Sequence, residues 1–149
     1  MKEKLRVAVI GAGRWSTTAH LPGFTRSPLS EVVVLCDLDR EMAEKKAQMF
    51  NIPEVETDYE KVLTRRDIDV VDIVTRDDHG DNHEILTFAA LQEGKHVLVE
   101  KPVAHDYKRV QEADRLAQSK GVKTKVGLTF RYAPAVQYMF ELMREGFVG

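Results

Sequence analysis

Short apolar runs and amphipathic segments alternate along the whole chain. The first run, residues 5–10, is rich in β-branched residues and indicates a buried strand. Further strands are expected over residues 31–36, near Val55, and over residues 70–74, 96–99 and 122–128. Because helical patterns separate these strands, the sequence predicts an α/β fold with a doubly wound parallel sheet and helices on both faces.

The helical segments have recognisable starts and ends. The first runs from Arg14 toward Arg26, and Pro22 should kink or end it near Leu21 because proline has no backbone N–H. Asp39 is placed to cap a second helix. The second helix is expected to end at about Phe50, and a short third helix to cover residues 58–63. Two further helices are expected over residues 82–92 and 106–120, followed by Gly94 and ended by Gly121, respectively. The last helix is expected to begin at residues 131–134 and to run to about Glu145.

A glycine turn follows the first strand directly. Gly11, Ala12 and Gly13 form the turn, and the helical pattern begins at Arg14. This strand, turn and helix start match the dinucleotide-binding site of a Rossmann fold, in which the pyrophosphate lies at the helix N-terminus and glycine lets it approach the backbone. The third position of the G-x-G-x-x-G pattern is Ser16, the next smallest option.

An acidic residue at the end of the second strand supports this interpretation. Asp37 lies about 20 residues after Ser16, where the pattern expects a carboxylate that accepts hydrogen bonds from the adenosine ribose. A carboxylate there favours NAD and repels the 2′-phosphate of NADP. Arg40 could pair with that phosphate or stack on adenine, so NADP stays possible.

Other polar residues follow the remaining strands, where ligands of open α/β sheets bind. They are Thr75, Arg76, Glu100, Lys101 and Arg131. Their convergence on one edge of the sheet adds to the evidence for a binding site. Trp15 either packs beside the cofactor or covers the core.

Composition narrows the class of protein further. The chain has 149 residues, of which 43% are hydrophobic and 31% charged, and its net charge of −2 does not suggest nucleic-acid binding. No apolar run approaches the roughly 18 residues that a membrane helix needs, and the N-terminus shows no signal-peptide pattern. The single Cys36 is expected to be a buried core thiol in a reducing compartment, which predicts a cytoplasmic location.

The sequence resembles the N-terminal half of the glucose–fructose oxidoreductase / inositol dehydrogenase (Gfo/Idh/MocA) family. The resemblance rests on VAVIGAGRWS near the start, on Asp37, on AALQEGKHVLVEKPVA at residues 89–104 and on VGLTFRYAP at residues 126–134. It covers nearly the whole chain, and the GKHVLVEKP stretch is its most specific part.

The resemblance implies roles for particular residues. Lys101 corresponds to the family lysine beside the nicotinamide and the substrate hydroxyl, where an ammonium group can stabilise alkoxide character as hydride leaves. Thr75 takes the place of the family Thr-Pro-Asn threonine, with Arg76 following. His83 matches the family histidine near the nicotinamide when the longer loop is counted back from Gly94, and His79 is the competing candidate.

A metal site is a weaker alternative for the two histidines. His79 and His83 are four residues apart, with Asp81 and Glu84 nearby, but Gly80 argues against a helix that reaches back to His79. No third ligand stands at a typical spacing, so no metal is expected.

The resemblance implies an oxidoreductase that transfers hydride between NAD(P) and a sugar, cyclitol or related polyol. A dinucleotide-sensing regulatory module is the alternative from another class, and a methyltransferase would not explain the GKHVLVEKP stretch. Family members are about twice as long or more, and their second half holds the substrate and the dimer contacts. We therefore expect residues 1–149 to be the dinucleotide-binding domain without the C-terminal substrate domain, inactive alone, and part of a homo-oligomer in full-length form.

Overall fold

Six parallel strands form one sheet in the computed structural model, which describes residues 4–76 and 81–147. The strands are β1 (Leu5–Ile10), β2 (Ser30–Cys36), β3 (Glu54–Glu56), β4 (Val70–Ile73), β5 (His96–Val99) and β6 (Thr124–Val126). Their order across the sheet is β3-β2-β1-β4-β5-β6, and every neighbouring pair is parallel. The predicted doubly wound Rossmann fold is confirmed.

The alternation of side chains along β1 divides the core into two apolar clusters. Val7 and Val9 belong to one cluster, whereas Ala8 and Ile10 belong to the other. Successive side chains of a strand point to opposite faces of the sheet, so each cluster lies on its own face. A strand segment buried on both faces needs apolar residues at every position, which explains the uninterrupted apolar run at residues 7–10.

Helices cover both faces. A π-helical segment (Ser16–His20) leads into α1 (Leu21–Arg26), and the remaining helices are α2 (Arg40–Phe50), α3 (Tyr59–Leu63), α4 (Asp81–Gln92), α5 (Tyr107–Lys120), a 3-10 segment (Thr129–Tyr132) and α6 (Pro134–Arg144). Helices α1 and α2 contribute side chains to the cluster of Val7 and Val9, and α3, α4 and α5 contribute to the other.

Several predicted helix ends are confirmed by cap geometry. Asp39 caps α2, since its Oδ1 accepts a hydrogen bond from the Met42 N–H at 3.0 Å. Gly121 ends α5 with φ +68°, and Gly94 follows α4 with φ +70°. Both values lie in the left-handed region that glycine adopts without a Cβ penalty.

Two expectations about element bounds need correction. The first helical segment does not end near Leu21. Its winding changes there from π to α, and Pro22 lies in the first turn of α1, where its missing N–H costs least. The predicted strand over residues 122–128 is too long. Val122 instead donates its N–H to Ala117 O at the end of α5, and β6 covers only Thr124–Val126.

The last helix, α6, packs differently from the others. None of its residues is buried, and large apolar side chains stay exposed along it, namely Tyr138, Met139, Phe140 and Met143. Among the described residues, no helix is both long and apolar enough to cross a membrane.

The strand order places the best ligand position at the middle of the sheet. From β1 the chain winds outward through β2 and β3, then crosses to β4 on the other side of β1. Crevices that bind ligands in such folds lie beyond the carboxyl ends of the strands at this switch.

Candidate functional site

Gly11 is required by the fold itself. It follows β1 with φ +113°, and a Cβ at this position would lie 2.6 Å from the backbone oxygen of Val74. That oxygen belongs to the backbone directly after β4 and cannot rotate away. The close approach of the first turn to β4 therefore excludes any side chain at Gly11.

Gly13 is different, because the surrounding protein does not require glycine there. A Cβ on Gly13 would meet no described protein atom within 4 Å, and its φ is not in the left-handed region. The open space lies at the start of the helical segment, where the first backbone N–H groups have no partner within the helix. An anion that approaches these groups closely gives a physical reason for glycine at this position.

Asp37 stands beside the turn and is held in place by backbone amides. Its Oδ2 accepts a hydrogen bond from the Ala12 N–H at 2.6 Å, and its Oδ1 accepts one from the Asp39 N–H at 3.0 Å. A carboxylate has about four acceptor positions, so it can still accept hydrogen bonds from two hydroxyl groups of a ligand.

A cavity of about 600 Å³ opens over the ends of β1, β2 and β4. Five of the predicted site residues line it, namely Gly11, Gly13, Asp37, Thr75 and Arg76. The remaining lining residues, which sequence reasoning did not single out as site residues, are Ile10, Cys36, Leu38, Met42, Thr57, Tyr59, Asn82, Ile85 and Leu86. A cavity of this volume with a mostly apolar wall and a few polar groups is typical of small-molecule sites.

Two polar groups in the cavity wall bear on what it can bind. The Thr75 hydroxyl oxygen is buried and has no hydrogen-bond partner among the described residues, so a polar ligand would satisfy it. Cys36 behaves differently, since burial and the nearby carboxylates of Glu56, Asp37 and Asp58 raise its pKa to about 12. Its thiol therefore stays protonated and is not a nucleophile at neutral pH. The open space at Gly13, the Asp37 carboxylate beside the turn and the Thr75 hydroxyl without a partner together fit the polar groups of a dinucleotide.

Several predicted site residues lie outside this cavity. Arg14 is exposed on the helical segment, and Arg40 makes an ion pair with Glu44 at 3.3 Å on the surface of α2. Lys101 is exposed directly after Glu100. Arg131 lines a separate surface depression between the 3-10 segment and α6. The roles predicted for these residues in cofactor binding stay predictions.

Trp15 and Glu100 belong to a hydrogen-bonded cluster outside this cavity, and the sequence did not predict that cluster. The Trp15 indole N–H donates to Glu100 Oε1 at 3.1 Å, and His20 Nε2 lies 3.2 Å from the same oxygen. His20 Nδ1 also lies 2.9 Å from both carboxylate oxygens of Asp72. The signal available in the sequence was Asp72 itself, a charged residue inside an otherwise apolar buried strand.

His83 is buried and connects two loops. Its Nδ1 lies 2.7 Å from the carbonyl oxygen of Pro102, and its Nε2 lies 3.1 Å from the carbonyl oxygen of Thr75. The imidazole thus joins the segment after β4 to the segment after β5. His79 lies outside the described residues, and within those residues no group of three potential metal ligands was found.

Comparison with known proteins agrees with this geometry. The model of the Gfo/Idh/MocA oxidoreductase family, described as having an NAD-binding Rossmann fold, matches residues 5–128. The chain belongs to this family. The resemblance deduced from the GKHVLVEKP stretch is therefore confirmed, and with it the assignment of the chain to the family's NAD-binding Rossmann domain.

Relatives of this family member include named dehydrogenases. The chain is 34% identical over 149 residues to inositol 2-dehydrogenase 4 of Saccharopolyspora erythraea, covering 98% of this chain and 43% of that protein. It is 29% identical over 147 residues to D-apiose dehydrogenase of Paraburkholderia graminis, covering 99% of this chain and 38% of that protein. The chain therefore spans about two fifths of the length of these relatives.

Solved structures of the family superpose closely on this chain. A 3-ketoreductase from Actinomadura kijaniata in complex with NADP matches with a TM-score of 0.87 and 26% identity, over 99% of this chain and 46% of the other. The myo-inositol 2-dehydrogenase from Lactobacillus plantarum matches with a TM-score of 0.86 and 25% identity, over 99% of this chain and 43% of the other.

Proposed function

We propose that the protein containing this chain is an NAD(P)-dependent oxidoreductase that acts on the CH–OH group of a sugar, cyclitol or related polyol. The observation that carries the proposal is the cavity at the switch point, with Gly13 open to an anion and Asp37 fixed for hydroxyl recognition. The named relatives support the substrate class, since they are dehydrogenases of inositol and apiose.

The preferred cofactor is NAD. Asp37 is held by two backbone N–H groups, which keep its carboxylate at the end of β2, where the adenosine ribose lies in this fold. The 2′-phosphate of NADP would lie close to this negative charge and be repelled by it. Arg40 is engaged with Glu44 on the exposed side of α2, so using it to bind a phosphate would break an existing ion pair.

Lys101 is the proposed catalytic residue. Its ammonium group is exposed at the carboxyl edge of the sheet, next to the buried Glu100. When bound, the nicotinamide supplies the hydride chemistry. Lys101 would bind the substrate oxygen and stabilise the negative charge that develops on it.

Full-length relatives are more than twice as long as this chain, which supports a second domain that binds the substrate. We expect that domain to cover the nicotinamide end of the site, to exclude water and to position the substrate. The exposed apolar side chains of α6 support a role in contacts within the full-length protein or in a homo-oligomer. A cytoplasmic location stays a prediction, based on the single reduced Cys36.

Calorimetric titration tests the proposal. The chain should bind NAD⁺ more tightly than NADP⁺, and Asp37→Asn should narrow the difference, because the amide keeps the shape of the side chain without its charge. Asp58→Asn is the matched control, since Asp58 is an N-cap outside the cavity wall. Tighter binding of NADP⁺ by the unmodified chain would contradict the cofactor assignment.

A further inference from the structure

The histidine side chain at position 20, which is mostly shielded from solvent, joins two carboxylates that come from distant parts of the chain. The His20 imidazole lies between Asp72 of β4 and Glu100 after β5, and the exposed fractions of the three side chains are 8%, 0% and 8%. Both ring nitrogens are within hydrogen-bond distance of a carboxylate. A neutral imidazole has one N–H and an ionised carboxylate only accepts, so these contacts require a proton beyond neutral His20 and two carboxylates.

The electrostatics of this cluster favour that extra proton. Burial disfavours the charged imidazole, but the hydrogen bonds and charges of Asp72 and Glu100 outweigh it and raise the pKa of His20. Burial also raises the pKa of Asp72, against the effect of His20. Both shifts are in the direction that favours keeping the extra proton within the cluster. A further charged group, Lys125 of β6, lines the same 340 Å³ cavity as His20 and Glu100.

Glu100 connects this cluster to the candidate active site. One carboxylate oxygen, Oε1, accepts from the Trp15 indole as well as facing His20, and the other, Oε2, accepts from the Lys101 backbone N–H at 3.2 Å. Gly127 leaves the space that this carboxylate occupies, because a Cβ there would overlap Glu100 Oε1. Glu100 thus has one orientation, set by contacts on both of its oxygens.

The contacts join two parts of the site that are far apart in sequence. Trp15 lies two residues after Gly13 at the start of the helical segment, and Lys101 follows β5. His20 lies on the same helical segment, at the last residue of the π-helical stretch. Wide π turns often occur at functional sites, and here the stretch ends on the residue that contacts both Asp72 and Glu100.

We propose that His20 is a positioning residue, whose protonated imidazole holds Glu100 between the Trp15 indole and the Lys101 backbone amide and so fixes Lys101 relative to the dinucleotide turn. The importance of Lys101 for hydride transfer rests on the proposed function. The coupling of His20 to Lys101 and Trp15 does not, because it can be measured without cofactor or substrate.

The test is a pH titration of the ¹⁵N-labelled chain from pH 5 to 9. Trp15 is the only tryptophan, so its indole N–H signal is assigned without ambiguity. We expect this signal and the Lys101 amide signal to shift together, with one midpoint above about 6.5, the ordinary pKa of histidine. His20→Gln should abolish the shared shift at both signals, and the exposed control His105→Gln should retain it.

Two independent midpoints, or a shared shift that survives in His20→Gln, would overturn the proposal. If His20→Gln does not fold, Glu100→Gln decides. The glutamine keeps an acceptor for the Trp15 indole but removes the carboxylate charge between His20 and the Lys101 amide, so the Lys101 amide signal should no longer shift with pH. A Lys101 amide signal that shifts as in the unmodified chain would contradict the proposal. NAD⁺ titration of the same samples distinguishes a failure of the proposed function from a failure of the His20 proposal. If NAD⁺ does not bind, the proposed function is contradicted, whereas the pH titration still tests the role of His20.

Discussion

The two glycines of the first turn should respond to substitution in opposite ways. Gly11→Ala places a methyl group 2.6 Å from the Val74 backbone oxygen, at a φ of +113°. Backbone strain for a non-glycine residue at positive φ costs about 1–2 kcal/mol, and forcing a methyl group into packed surroundings costs about 1–3 kcal/mol more. The free energy of unfolding should therefore fall by about 2–5 kcal/mol, a large part of the stability of a domain.

Gly13→Ala meets none of these costs. No described protein atom lies within 4 Å of the new methyl group, and alanine restricts the unfolded chain, which stabilises by about 0.4–1 kcal/mol where the native backbone is compatible. The methyl group would instead occupy the space that we assign to the pyrophosphate. We expect unchanged or slightly increased stability and at least a roughly tenfold loss of NAD⁺ affinity, about 1.4 kcal/mol.

Urea unfolding and calorimetric titration of the two variants measure both effects, and each variant is the control for the other. Gly11→Ala should lose stability, whereas Gly13→Ala should stay stable and bind NAD⁺ more weakly. Equal destabilisation by both substitutions, or unchanged NAD⁺ affinity in Gly13→Ala, would refute the assignment of Gly13 to the ligand.

Three other predictions concern Lys101, the isolated chain and His20. In the full-length protein, Lys101→Ala should lower turnover by about 10²-fold or more with little change in cofactor affinity, whereas the exposed control Lys108→Ala should not; unchanged turnover in Lys101→Ala would make Lys101 an ordinary surface charge. The purified 149-residue chain should bind NAD⁺ yet show no change in nicotinamide absorbance with sugars or polyols, and robust turnover would disprove the need for a second domain. The stabilising contribution of His20 should be complete below about pH 6.5 and lost as pH rises through its raised folded pKa. Urea unfolding from pH 6 to 9 would show this loss in the unmodified chain and not in His20→Gln, and equal pH dependence in both would contradict it.

The fold followed from local patterns in the sequence. The β-branched run before Gly11 and the caps at Asp39 and Gly121 each depend on residues a few positions apart, and each is confirmed by the structure. The glycine turn and Asp37 were recognisable because the spacing of that motif is itself short-range. The structure brings Ala12 and Asp37 into direct contact, as the motif implies.

The parts that the sequence did not reveal depend on long-range contacts. His20 is 52 residues from Asp72 and 80 from Glu100, and no local periodicity indicates that they meet. The π winding before Leu21 was not predicted either; it ends at His20, whose partners are Asp72 of β4 and Glu100 after β5. The shortened β6 reflects the sheet edge, where only β5 is available for pairing.

Mapping NAD⁺ binding by NMR tests the central claim most directly. Titration of the ¹⁵N-labelled chain with NAD⁺ should give saturable shifts centred on the amides of Gly11, Gly13, Asp37 and Thr75, which line the cavity over β1, β2 and β4. Gly13→Ala should weaken the same set of shifts. Saturable shifts centred elsewhere, or none at millimolar NAD⁺, would contradict the assignment of this cavity as the dinucleotide site.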